Sequence, residues 1–106
     1  MIRNATRNTI LAKQYALERG LGKLKGLLRR NEAEPLVFET RLGIHTFFLK
    51  FPIDLLILDN KGRVKLAKTV RQNRIAVWNP IFKTVVELPA GTLLTTGTKL
   101  GDKIVL

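Results

Sequence analysis

The sequence predicts an α+β fold that is mainly β: a small curled sheet or barrel of short strands, with one principal helix packed on it. Three observations predict it. Short apolar runs recur along the chain, punctuated by glycine and proline. The densest run, Ile53 to Leu58, is short, branched and bounded by Pro52 and by Asp59-Asn60-Lys61-Gly62, as a buried strand and its turn should be. One leucine stripe, Leu17, Leu21, Leu24 and Leu28, falls at helical spacing. With 106 residues, 45% of them hydrophobic, residues 1–106 are expected to form a single domain with a core of their own.

Thr9 to Ala12 reads as a first short strand after an Asn/Thr-rich opening. Residues 14–30 hold the amphipathic helix, its leucines facing the sheet and Arg19, Lys23 and Arg30 on another side. Gly20 and Gly22 weaken its middle by about 1 kcal/mol each. Pro35 closes this region, because proline cannot continue a helix. Leu36-Val37-Phe38 is the next strand. Thr46 to Lys50 is strand-like, with a kink or bulge expected at Pro52. Arg63 to Val70 alternates basic and apolar residues, as a half-exposed hairpin partner of 53–58 should. Arg71 to Pro80 is irregular. Lys83 to Leu88 and Lys103 to Leu106 read as strands.

Side chains alternate faces along a strand, so Ile53, Leu55 and Ile57 oppose Asp54, Leu56 and Leu58. Both faces are apolar except at Asp54, which places the strand under cover on both sides. A carboxylate there needs donors or a cation, because burying it unpaired is very costly. At least two hydrogen bonds to Asp54 are expected, from backbone amides, Thr46, an arginine or His45.

The string from Ile44 to Val64, IHTFFLKFPIDLLILDNKGRV, resembles the signature of a family known as domain of unknown function 192, small bacterial and archaeal proteins. Val86-Glu87-Leu88-Pro89-Ala90-Gly91 and Thr95-Thr96-Gly97-Thr98-Lys99-Leu100-Gly101-Asp102 resemble two further motifs of that family, in the same order. Lys25-Gly26-Leu27-Leu28-Arg29-Arg30 resembles its Arg-x-Gly-Leu-Leu-Gly-Arg segment. Leu49 stands where the family usually has Met, and Arg29 where it usually has Gly. The resemblance covers nearly the whole chain and implies a fold; it brings no established activity with it.

Composition excludes several chemistries. The chain has neither serine nor cysteine, so serine and cysteine nucleophiles, disulfides and cysteine-metal sites are out. A single histidine argues against a histidine-based zinc site, and no cofactor or metal is expected. No stretch approaches the roughly 20 apolar residues of a membrane helix, and the first thirteen residues lack the apolar run of a signal peptide; a cytoplasmic protein is expected. The net charge of +11 is spread: residues 1–50 hold ten basic and four acidic groups, residues 51–106 nine and four. Such a balance favours nucleic acid or another polyanion as partner.

Three carboxylate or imidazole groups sit in or beside apolar runs and are the catalytic candidates: His45, Asp54 and Glu87. Their plain structural reading is a strand-edge histidine and two satisfied or ion-paired carboxylates. Asp102, after Gly101, is expected to satisfy turn amides. Candidates for ligand contact are Thr46, the aromatics Phe47 and Phe48, and the cations Arg29, Arg30, Arg63, Lys65, Arg71 and Arg74. Three functions stay open: a binding module for an anionic ligand or nucleic acid, an acid–base enzyme on a small molecule, and an accessory domain that docks on another protein. The charge favours the first.

Overall fold

The computed structural model describes residues 1–17, 34–47 and 49–106. Among them run β1 (Ile2–Asn4), β2 (Thr9–Ala12), β3 (Ala16–Leu17), β4 (Leu36–Glu39), β5 (Ile44–His45), β6 (Ile53–Leu58), β7 (Val64–Val70), β8 (Ile75–Ala76), β9 (Thr84–Pro89), a short helix α1 (Thr92–Thr96) and β10 (Ile104–Val105).

Strand β6 lies inside a five-stranded sheet of order β3-β4-β9-β6-β7. All six of its residues are buried, as two covered faces demand. Its β7 partner is antiparallel and joined by the turn read from the sequence. The Asp59 carboxylate accepts the backbone amides of Lys61 and Arg63, both at 2.9 Å, and Gly62 takes the positive φ of 82° that closes the turn. A bulge falls between Ile57 and Leu58.

The sheet separates two cores. Ile53, Leu55 and Ile57 join Leu36, Phe38, Leu49, Phe51, Val70, Ala76 and Val85 on one face. Leu56 and Leu58 join Ile2, Leu11, Val37, Val64, Val86, Leu88 and Ile104 on the other. The first face is covered by Leu49, Phe51 and the two-stranded β5–β8 ribbon, the second by the three-stranded β10-β1-β2 sheet and α1. This is the period-two pleat of β6 made three-dimensional.

Two expectations are corrected. The sheet is open, not a barrel: its edge strands β3 and β7 do not pair with each other. Closure needs the last strand to meet the first, and among the described residues β3 pairs with β4 alone, in parallel. The helix expected over 14–30 does not begin where the leucine stripe begins. Ala16 and Leu17 are strand, the Ala16 amide donating to the Pro35 carbonyl at 3.0 Å, and Leu17 is 72% exposed. Backbone pairing with β4 overrides the spacing there. Leu21, Leu24, Leu28, Arg29, Arg30 and Phe48 lie outside the described residues.

Candidate functional site

The local chemistry of the site starts at Thr46, which is fully buried. Its hydroxyl donates to the Arg71 carbonyl at 2.6 Å and accepts the Arg74 amide at 2.9 Å. Its own amide donates to the Arg74 carbonyl, and its carbonyl accepts the Asn73 amide. One threonine therefore clamps the turn from Arg71 to Arg74. Asn73 completes the turn at φ 60°, a left-handed conformation that asparagine tolerates better than most residues.

The clamped turn shows its arginines to solvent. With Lys68, Thr69, Val70 and Ile75, Arg71 and Arg74 line an open cleft of about 280 Å³ at the end of the edge strand β7. Among the described residues, the lining holds three cations and no carboxylate. Like charges converging on one concavity raise the local positive potential and draw in anions. Arginine forks and the lysine ammonium match phosphate or carboxylate oxygens. His45 pairs across the ribbon with Ile75, so its strand borders the cleft. The imidazole stacks on Phe47, ring centroids 5.1 Å apart.

Asp54 is fully buried and satisfied. One oxygen accepts the Thr69 hydroxyl at 2.6 Å, the other the Leu93 amide in the first turn of α1 at 2.9 Å. Two donors were expected; one is a backbone amide as foreseen, while the other, Thr69, sits directly opposite on β7. The carboxylate thus ties β6, β7 and α1 together. Glu87 is buried in β9, opposite Leu36 and Leu55. Asp54 lies opposite Leu88, the residue after Glu87, so the two carboxylates leave the sheet on opposite faces. The β5–β8 ribbon covers the face of Glu87, and the sheet stands between the ribbon and the Asp54 side chain.

The other cationic candidates serve the far end of β7. Arg63 donates to the Gly101 carbonyl at 3.2 Å. Lys65 stands 3.9 Å from Asp59 and 5.9 Å from the Phe82 ring centre. A wider groove of about 420 Å³ lies there, lined by residues including Arg41, Asp59, Lys83 and Thr84, with charges of both signs. Hydrogen bonds from the Arg63 backbone hold the Asp59 carboxyl below the usual carboxylate range; those from Lys61 and the charge of Lys65 add to this against desolvation. Asp102 does satisfy a turn amide, that of Lys99 at 3.0 Å, within a network that joins it to the buried Asn4 and the exposed Arg7.

Lys68 and Thr69 escaped the sequence reading. The signal was present: Lys68, Arg71 and Arg74 follow one another closely where the strand 63–70 runs out into the irregular stretch after it. Among the described residues, no group of three or more His, Cys, Asp or Glu side chains is placed to hold a metal ion.

No family model matches the chain. A UPF0127 protein of Pyrococcus abyssi is 35% identical over 85 residues, covering 74% of this chain and 73% of its own length. The chain belongs to the UPF0127 family. A second UPF0127 protein, from Pyrococcus horikoshii, is 33% identical over 85 residues, 74% of each chain. A third, from Thermococcus gammatolerans, is 38% identical over 71 residues, 65% of this chain and 46% of its own. The family is uncharacterised. The fold of this UPF0127 member is similar to that of a candidate transcription regulator from Sinorhizobium meliloti 1021, with a TM-score of 0.72 at 19% identity over 98% of this chain and 88% of that one. It is also similar to a protein of unknown function from Novosphingobium aromaticivorans, with a TM-score of 0.66 at 21% identity over 87% and 74%. Such low identities speak for the α+β fold alone. Among the described residues, no helix is long and apolar enough to cross a membrane.

Proposed function

We propose that this UPF0127 member is a binding module for an anionic, phosphate-bearing ligand, nucleic acid included, and that the cleft of Lys68, Arg71 and Arg74 receives it. The observation that carries the reading is the Thr46 clamp: it holds two arginines on a built turn beside a third cation, with no carboxylate among the described lining residues. Pre-organised cations lose less freedom on binding than cations on a loose loop. The net charge of +11 adds long-range attraction. Acid–base catalysis by His45 with Asp54 or Glu87 has no comparable support, since Asp54 already serves Thr69 and Leu93 on the far side of the sheet. We also read the motif resemblance to domain of unknown function 192 as kinship with the same uncharacterised proteins.

The test is a titration of labelled single- and double-stranded oligonucleotides at about 50 and 200 mM salt, across which phosphate-driven binding falls steeply. One fold-mate's description as a candidate transcription regulator makes duplex DNA a natural probe. The double variant Arg71→Glu, Arg74→Glu is expected to abolish binding with the thermal midpoint preserved. No binding by the unaltered chain at the lower salt removes the reading.

A further inference from the structure

We infer that the outward face of the β5–β8 ribbon, together with the loops flanking it, docks on the surface of an anionic phospholipid bilayer. Four aliphatic side chains stand in water there: Leu42 at 92% exposure, Ile81 at 67%, Ile75 at 66% and Val77 at 65%. They follow one another along the ribbon and the loop after it, from Ile75 by the Lys68 cleft to Ile81 by the Asp59 groove. Ile75 and Val77 flank the buried Ala76 and both stand exposed, Ile75 in β8 and Val77 just after it. Gly43, the residue after Leu42, packs against Val77: a Cβ built on it would lie 3.0 Å from the Val77 Cγ1. The Arg41 guanidinium donates to the Pro80 and Ile81 carbonyls at 2.7 and 2.9 Å and so ties Ile81 to the segment that carries Leu42.

Charge decides what covers this face. The segments 39–50 and 71–83 carry Arg41, Lys50, Arg71, Arg74 and Lys83; Glu39, 3.5 Å from Lys83, and Asp59, in the groove shared with Arg41 and Ile81, answer part of that charge, and the border stays net positive. A second copy of the chain would set one net positive border against another. Nucleic acid would satisfy the cations but stacks on aromatic rings, not on leucine, isoleucine and valine. An anionic bilayer satisfies both: acyl chains below the headgroups accept the aliphatics, and the lipid phosphates face the arginine and lysine rim. The inference goes beyond the cleft reading and does not depend on it, although Arg71 and Arg74 border both surfaces.

The experiment is co-sedimentation of the full chain with vesicles of pure phosphatidylcholine and with vesicles of phosphatidylcholine and phosphatidylglycerol in equal parts. The chain is expected to pellet with the anionic vesicles and to stay in solution with the neutral ones. The variant Leu42→Ser, Ile81→Ser changes two exposed side chains and is expected to keep its thermal midpoint while losing about tenfold or more in vesicle affinity. The same variant should bind oligonucleotides as the unaltered chain does, so the two readings fail separately. The inference is overturned if the unaltered chain ignores anionic vesicles, or if the variant binds them undiminished. It is equally overturned if sedimentation velocity reveals a dimer that the variant abolishes, since a second copy then covers the face.

Discussion

The side-chain amide of Asn4 donates to the carboxylate of Asp102 at 2.9 Å across a separation of 98 residues. The same oxygen accepts the Arg7 guanidinium at 2.7 Å and the Lys99 amide at 3.0 Å. Asn4 also reaches the Thr98 hydroxyl at 3.2 Å, and its own oxygen accepts the Arg7 amide. Asn4, Thr98 and Asp102 are all buried, so this network fastens the first strand to the Thr95–Asp102 motif away from water.

Asp102 makes the fold acid-sensitive. Burial pushes its carboxyl up, but the bonds from Asn4, Arg7 and Lys99 outweigh it, and the net shift is below the ordinary value of 3.8. A depressed folded value means that the carboxylate adds stability above the unfolded value. That stability is lost as pH falls through the folded value. Urea midpoints should therefore decline below about pH 5. Asp102→Ala is expected to cost roughly 1.5–3 kcal/mol at neutral pH and to flatten the decline. An unchanged pH dependence in the variant would assign the acid sensitivity elsewhere.

Asp54 and Thr69 form the pair on which β6, β7 and α1 converge. Asp54→Asn replaces an acceptor that serves two donors and should destabilise by roughly 1–3 kcal/mol. Thr69→Val leaves one buried carboxylate oxygen without its hydroxyl and should cost a similar amount. Because the two groups touch, the double variant should lose clearly less than the summed single losses, by about 0.5 kcal/mol or more. Additive losses in urea denaturation would mean that the 2.6 Å contact contributes nothing in solution.

Thr46→Val keeps the volume of the side chain and removes its hydroxyl. It strands the Arg74 amide and frees the Arg71 carbonyl. The expected loss of stability is roughly 1–3 kcal/mol. The more telling readout is anion affinity, which should weaken several-fold although every charge is retained. The salt slope should stay that of the unaltered chain, because the number of neutralised phosphates is unchanged. A steeply reduced slope would show that the turn has collapsed instead of loosened.

How far the sequence reached depends on how local each feature is. The β6–β7 hairpin was legible because its alternation, its turn residues and its two-sided burial are all written within Ile53 to Val70. That Asp54 would be buried and hydrogen-bonded followed from its apolar neighbours and the cost of an unpaired buried carboxylate. Which groups would satisfy it did not follow, because Thr69 and Leu93 reach it only once β7 and α1 have packed. The helical spacing from Leu17 was a local signal that cross-strand pairing with β4 overruled at its first residues. The open sheet, the opposite faces of Asp54 and Glu87, and the bond between Asn4 and Asp102 rest on pairings between distant segments. Patterning sets which side chains seek the core, whereas the packed chain alone decides which distant partners meet there, since long-range contacts form only when burial outweighs the entropy of closing the loops between them.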